Sequence, residues 1–429
     1  MNSEQIIKKI QEKKAIVCIL GLGRVGLPLA TVFATSGLKV RGIEINQEMV
    51  KSIKNSICPF HDPPLQKNLE KAMEFSNLEI KDNITELDND VDIIIITVGT
   101  PITSDNDVDY SQLFSALEKI CKMNLRKKMI IFRSTMPPKT TEDIIIPMIE
   151  NKTGLKAGED FSIGVCPERI LEGRAIQEIF ELPEIIGGLD QSSNDIATEL
   201  FKIINSEKDF SYTSPSGAEL AKLFTNIYRY ISFALSNEFA IWAEIYGLDA
   251  TKLINIANYK YDRSNVPIPG FVGGPCLSKD GTFLDNNTTF SSIVSAAWKL
   301  NESIPRHIVN NIKKVSGNLF SKKIAVLGLS FKSGSDDLRS SPSIKLVELL
   351  KGLGAQVQIH DPHVKDTLSL HSALNSAEII IIATNHHEFK EIISDINQSG
   401  SKIVYDVWSM FDDNDFPKMK YYRFGRGFS

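Results

Sequence analysis

Short apolar runs that end in glycine or small polar residues recur through the first half of this chain. Residues 15–20 (Ala-Ile-Val-Cys-Ile-Leu) lead into a cluster of glycines, and Lys39–Glu44, Val91–Val98, Lys128–Phe132 and Phe161–Cys166 follow. Runs of that length with such boundaries predict buried strands. Leu27–Ser36, between the first two, predicts a helix. Ser216–Tyr246 behaves differently. It has no proline and one early glycine, and Leu220, Leu223, Phe224, Ile227, Ile231 and Leu235 recur at helical spacing. One long helix is expected there, stopped at Gly247. More helix follows, interrupted by the glycine–proline segment 267–275. The opening pattern then returns. Lys322–Leu329 echoes Lys13–Leu22, and Ala355–His360, Ala377–Ala383 and Ile403–Asp406 are further buried runs.

Strands alternating with helices imply a parallel, doubly wound α/β sheet. The expected architecture is two such domains, 1–212 and 308–429, joined by a central helical domain, 213–307, that carries the long helix. In sheets of this kind ligands collect beyond the carboxyl ends of the strands. Gly99-Thr100-Pro101, Arg133-Ser134-Thr135 and Pro167-Glu168 occupy those ends.

Gly21-Leu22-Gly23-Arg24-Val25-Gly26 fits G-x-G-x-x-G between a strand and a helix, the setting the dinucleotide fingerprint requires. Its glycines permit a tight turn and let the backbone approach a pyrophosphate at the helix N-terminus. Glu44 ends the second strand. A carboxylate there accepts from both ribose hydroxyls and repels a 2′-phosphate, so the first domain is expected to be Rossmann-like and to bind NAD. Arg24 and Arg41 are the residues that could instead serve a 2′-phosphate.

Hydrophobic residues make up 42% of the chain and charged residues 24%, as in an ordinary globular protein. The formal charge of −5 and the lack of a dense basic run argue against nucleic-acid binding. The first fourteen residues are polar, unlike a signal peptide, and the longest apolar runs are too short to span a bilayer. Five scattered cysteines (Cys18, Cys58, Cys121, Cys166, Cys276) suit reduced thiols in the cytoplasm rather than a disulfide framework.

Four of these cysteines read as small buried hydrophobes. Cys276 stands apart. Gly273-Gly274-Pro275 lead into it as a shaped turn, and Lys279 and Asp280 follow. A nearby cation favours thiolate. Lys222 and Asn226, at i and i+4, share one face of the expected long helix, so both can aim at one oxygen. His360-Asp361-Pro362-His363 and His386-His387 bear histidines without a completing ligand set. They read as solvated strand-end loops, and no metal is expected.

Several separate motifs resemble the nucleotide-sugar 6-dehydrogenase family of UDP-glucose, GDP-mannose, UDP-N-acetylglucosamine and UDP-N-acetylmannosamine enzymes. They are Gly21–Pro28, Val98–Pro101, Ser134–Pro138, Cys166–Gly173, Lys222–Asn226, the Cys276 segment, and Phe331-Lys332 through Arg339–Pro342. The resemblance implies a four-electron oxidation of a sugar 6-hydroxyl through aldehyde to acid, with two NAD reduced in turn. It makes Cys276 the nucleophile that forms a thiohemiacetal and then a thioester. It makes Lys222, Asp280 and Asn226 the group that handles the hydroxyl proton and the oxyanion. Glu168 becomes the base for the hydrolytic water, which Thr135 orients. The cofactor set it implies is Gly21, Gly23, Arg24, Val25, Gly26, Glu44, Gly99, Thr100, Ser134 and Thr135. Arg169, Leu171, Gly273, Phe331, Lys332 and Arg339, with Glu168, Lys222 and Asn226, would contact a UDP-sugar bound partly by the last domain. Arg263 is similar to an arginine that reaches the sugar from a neighbouring subunit.

Cys166–Gly173 and Leu182–Gly188 look like the N-acetylhexosamine branch, with UDP-N-acetylmannosamine favoured and its gluco epimer next. Ser278-Lys279-Asp280 is shared with the UDP-glucose branch, which keeps a UDP-glucose 6-dehydrogenase open. Outside the family, a single-step hydroxy-acid dehydrogenase and a non-catalytic nucleotide-sugar sensor are the alternatives. The long helix carries Phe224, Tyr228, Phe233, Phe239 and Trp242 on more than one face. That predicts an obligate homodimer.

Overall fold

The computed structural model describes residues 3–85, 88–103, 107–275, 277–285 and 293–427. Cys276 lies outside the described residues. The chain divides into two compact units at Thr225/Asn226. That division falls inside the long helix Pro215–Ile245, so segment 213–307 contributes to both units. Among the described residues, no helix is long and apolar enough to cross a membrane.

The first unit is built on eight strands: β1 (Ile16–Leu20), β2 (Lys39–Ile43), β3 (Leu78–Lys81), β4 (Ile93–Ile96), β5 (Met129–Phe132), β6 (Ser162–Val165), β7 (Glu184–Gly188) and β8 (Phe210–Tyr212). Their order is β3-β2-β1-β4-β5-β6-β7-β8. The first six follow the doubly wound 3-2-1-4-5-6 arrangement, with its switch point between β1 and β4. All pairings are parallel except β6 with β7, a departure from an all-parallel sheet that mixed sheets commonly show towards an edge. Both faces of the sheet are covered, which is why its central strands are continuous apolar runs. Val17, Ile19, Ile93, Ile95 and Ile131 pack on one side, and Cys18, Leu20, Ile94, Ile96 and Ile130 on the other. The start of the long helix is fastened by Glu219, whose buried carboxylate accepts from the Thr141 backbone N–H at 2.9 Å and hydroxyl at 2.6 Å. Burial pushes this carboxyl up to about 7.

The second unit contains a five-stranded parallel sheet of β9 (Lys323–Leu327), β10 (Gln356–His360), β11 (Ile379–Ile382), β12 (Ile403–Asp406) and β13 (Lys420–Arg423). The order β10-β9-β11-β12-β13 is the 2-1-3-4-5 form of the doubly wound fold. One face packs against helices that precede it in sequence. Ala240 and Ala243 of the long helix, and Ile304, Ile308 and Ile312 of helix Ile293–Ser316, join Ile324, Val326, Ile379 and Ile381 in one core cluster.

Candidate active site

The glycine fingerprint folds as a turn from β1 into helix Gly26–Thr35, where nine of ten residues are buried. Gly21 has a φ of +92°, a conformation that glycine adopts without steric cost. A Cβ on Gly26 would lie 1.9 Å from the Gly21 carbonyl oxygen. Gly23 is exposed, and a Cβ on it would meet nothing within 4 Å. The fold therefore explains the first and third glycines, and the second fits a ligand drawn close to the backbone. No side chain caps this helix start. The positive end of the helix dipole suits a pyrophosphate. Glu44 stands beside the turn, with Oε2 accepting from the Leu22 N–H and Oε1 from the Asn46 N–H, each at 2.9 Å. These bonds fix the carboxylate and leave acceptor capacity for a ribose diol. Arg41 is committed to Glu79, Asp88 and Asp90. The Arg24 guanidinium lies 4.7 Å from the Phe60 ring centroid and 3.6 Å from Glu172. The residues present thus fit NAD.

The ends of β4 and β5 are tied together. The Thr100 hydroxyl donates to the Thr135 carbonyl and the Ser134 hydroxyl to the Val98 carbonyl, each at 2.5 Å. Gly99 is exposed beside them. Arg133, on the same strand end, is buried and lies between two carboxylates. Its Nη1 donates to Glu184 at 3.0 Å, and its Nε donates to Glu168 Oε2 at 3.1 Å, with Nη2 donating to the same oxygen. Glu168 Oε1 accepts from the backbone N–H groups of Arg169 (2.7 Å) and Ile170 (3.0 Å). All four acceptor positions of Glu168 are therefore occupied. The Arg133 charge and these bonds hold its carboxyl below the usual range despite burial, whereas burial pushes Glu184 up to about 7. The Arg169 guanidinium donates to the Pro183 carbonyl, and Leu171 is partly exposed.

Lys222 is buried on the first unit's part of the long helix. Four residues on, in the second unit, the Asn226 side-chain amide donates to Asp280 Oδ2 at 2.5 Å, both groups buried. The turn before Cys276 is anchored at several points. Gly270 N–H donates to Asn237 Oδ1 at 2.9 Å, and Asn237 donates in turn to Asn301 at 3.1 Å. A Cβ on Gly273 would lie 2.4 Å from Pro342, and one on Gly274, at φ +95°, would lie 2.7 Å from Phe331. The Gly274 N–H also bonds the Ser340 carbonyl at 3.2 Å. Lys279 lies with its Nζ 5.3 Å from the Phe283 ring centroid. The other four cysteines are free thiols, two fully buried and two half-buried. Burial pushes Cys18 up to about 12.

At the end of β9 the second sheet repeats the first. Gly328, at φ +93°, donates to the His360 carbonyl as Gly21 does to that of Ile43, each at 2.8 Å. Asp361 takes the place of Glu44 and accepts from the Leu329 and Ser330 N–H groups at 2.7 and 3.0 Å. Here the carboxylate is sealed. It also accepts from the His363 and Val364 N–H groups and faces His386, which is fully buried. Of the histidines expected in solvated loops, His387 is exposed and His360 half-buried, whereas His363 and His386 pack together with ring centroids 4.9 Å apart. His363, His386 and Glu388 bring ligand-type atoms within 4.8 Å of one another. His386 Nδ1 accepts from Gly334 N–H and Nε2 meets Asp361, so both ring nitrogens have protein partners. Nearby, Arg339 is tied to Asp337 by its guanidinium, with bonds of 2.6–3.0 Å, and Lys332 is half-buried. Arg263 is exposed, with its guanidinium 4.8 Å from the Tyr261 ring centroid.

Sequence reasoning did not single out Arg133, Glu184, Asn237 or Asn301 as functional residues. A buried arginine at a strand end and an asparagine inside an otherwise apolar helical stripe were the available signals.

Comparison with known proteins gives three consecutive matches along the chain. Residues 15–205, 216–305 and 325–413 match the NAD binding, central and UDP binding domains of the UDP-glucose/GDP-mannose dehydrogenase family. The UDP-N-acetyl-D-mannosamine dehydrogenase of Pyrococcus horikoshii is 34% identical over 383 residues, covering 88% of this chain and 90% of that protein. That of Methanocaldococcus jannaschii is 34% identical over 396 residues, 90% of each. Among solved structures, the P. horikoshii UDP-D-ManNAc dehydrogenase superposes with a TM-score of 0.89 at 32% identity, over 96% of this chain and 99% of that one. The UDP-N-acetyl-mannosamine dehydrogenase Cap5O of Staphylococcus aureus gives 0.86 at 30% identity, over 96% and 98%. The fold, the glycine fingerprint and the three consecutive domain matches agree, and the chain belongs to the UDP-glucose/GDP-mannose dehydrogenase family.

Proposed function

We propose that this chain oxidises the 6-hydroxyl of UDP-N-acetylmannosamine to the carboxylic acid in two hydride losses, with Cys276 holding the carbon between them. The names of its relatives favour that sugar, with UDP-N-acetylglucosamine next. The observation that carries the reading is the buried Asn226–Asp280 pair, whose carboxylate follows the cysteine segment at once in sequence. An amide bonded to a carboxylate in a dry setting can direct proton movement at an alcohol and steady the oxygen charge that develops.

Bound NAD supplies the hydride acceptor for both oxidations. The chain's residues do the rest. Asp280 and Lys222 take up the hydroxyl proton, through water, as the alcohol becomes an aldehyde. The Cys276 thiolate adds to the aldehyde carbon, and its oxygen gains a proton to give a thiohemiacetal. Asn226 and Lys222 donate to that oxygen. Loss of the second hydride and of the hydroxyl proton leaves a thioester. Water, oriented by Thr135 and deprotonated by Glu168, attacks the carbonyl carbon, the C–S bond breaks, and sulfur leaves as thiolate. Arg169, Leu171, Gly273, Phe331, Lys332 and Arg339 contact the substrate in this reading, and Arg263 of one protomer serves its neighbour.

The same reading includes a homodimer. Tyr228 and Trp242 on the long helix and Tyr246 just after it, with Leu253, Ile256 and Tyr259 on and beside the next, are exposed large apolar side chains. Such a patch marks an interaction surface. Sedimentation showing a stable monomer removes the dimer.

Turnover with a panel of UDP-sugars tests the substrate, and Cys276→Ser tests the nucleophile. The expected result is highest kcat/KM for UDP-N-acetylmannosamine, and loss of acid formation in the variant with NAD affinity kept. Acid formation at full rate by Cys276→Ser contradicts the reading.

A further inference from the structure

We propose that Glu184 is a positioning residue for thioester hydrolysis: by sharing Arg133 with Glu168, it loosens the guanidinium's hold on Glu168 and lets that carboxylate act on water. The inference rests on the reading that Glu168 serves hydrolysis. With four donors on its two oxygens, Glu168 has no free acceptor position for a water proton in the arrangement observed. Two of the four donors are backbone N–H groups of the adjoining residues and cannot leave without refolding the strand end. The other two belong to one side chain, Arg133. Only that side chain can yield, and Glu184 is its other carboxylate, at 3.0 Å from Nη1.

The setting makes the sharing strong. Arg133, Glu168 and Glu184 are each less than a tenth exposed, and the small cavity they border has room for about one water. Charges in such surroundings are weakly screened, so a change on Glu184 is felt at Glu168 through Arg133. The charged and titratable groups facing Glu184 are Arg133 from β5, Glu168 and Cys166 beyond β6, and Lys208 just before β8. Arg169 and Glu178 line the same cavity. Burial lifts Glu184 to about 7. Above that pH its negative charge draws on Arg133. Below it, Glu184 is neutral and the whole cationic charge bears on Glu168, which is then a weaker base.

The test is single-turnover hydrolysis of the Cys276 acyl adduct, followed by acid quench and intact-mass spectrometry, in the wild-type chain and in Glu184→Gln. In the wild type the hydrolysis rate is expected to rise as pH increases from 6 to 8. In Glu184→Gln the rise disappears, with a loss of at least about fivefold at pH 8 and little change at pH 6, while the rate of adduct formation is kept. An equal effect at both pH values, or none, overturns the inference. Glu168→Gln separates the two claims. If that variant hydrolyses its adduct normally, the assignment of Glu168 falls. If it stalls while Glu184→Gln keeps the wild-type pH profile, the role of Glu184 alone falls. Should Glu184→Gln not fold, Lys208→Gln carries the test. Removing that cation is expected to move the rise to higher pH, and an unmoved rise overturns the inference.

Discussion

Asn226 donates its side-chain amide to Asp280 across 2.5 Å, although the two residues are 54 positions apart and neither reaches bulk solvent. A buried carboxylate requires a partner, and the long helix supplies one on the face that also carries Lys222 one turn earlier. Asp280→Asn keeps the size and removes the charge. Its kcat is expected to fall by about 10²–10⁴, with the dissociation constant for NAD unchanged by fluorescence titration. An unaltered kcat removes Asp280 from the chemistry.

Glu44 is oriented by the backbone N–H groups of Leu22 and Asn46. In Glu44→Ser a charge-assisted bond to the ribose diol is lost, along with the repulsion of a 2′-phosphate. The NAD to NADP ratio of kcat/KM is expected to narrow by roughly 10–100-fold. A preserved ratio contradicts the placement of the ribose at Glu44.

Gly273→Ala tests the anchoring of the cysteine turn. The added methyl would lie 2.4 Å from Pro342 and 2.6 Å from the Ser340 carbonyl oxygen, so the turn or its neighbour must shift. Thermal denaturation is expected to show a loss of about 1–3 kcal/mol, accompanied by a changed alkylation rate at Cys276. Gly23→Ala, with open space around it, is expected to leave stability unchanged and weaken NAD binding.

The apolar runs that predicted β1, β2, β4, β5, β6, β9, β10, β11 and β12 were readable because most of these strands are buried on both faces. β3, β7, β8 and β13 went unseen. They lie at or towards the sheet edges, and β3 and β13 mix charge with apolar residues, as Leu-Glu-Ile-Lys and Lys-Tyr-Tyr-Arg show. The direction of β7 has no local signature at all. The fingerprint was legible because its residues are contiguous, and Lys222–Asn226 because a helix repeats every 3.6 residues. Arg133 with Glu184, and Asp361 with His386, were not. Their meetings depend on which strands become neighbours, and nothing within either segment encodes the partner.

Glu219 yields a stability prediction. Its folded-state carboxyl is raised from 4.5 to about 7, so the folded chain binds a proton that the unfolded chain has released between those values. Its contribution is present below about 4.5 and is lost as pH rises through about 7. Glu219→Gln is expected to flatten that decline, by up to about 3 kcal/mol across the window, in urea unfolding measured at successive pH values. A slope identical to the wild type contradicts the assignment.

The central claim is that one sugar carbon gives up two hydrides in sequence without leaving the chain. Counting NADH formed per UDP-N-acetylmannosamine consumed, under conditions where substrate is limiting, tests it most directly. Two NADH and one uronic acid per sugar are expected. A single NADH with free aldehyde as the product contradicts it.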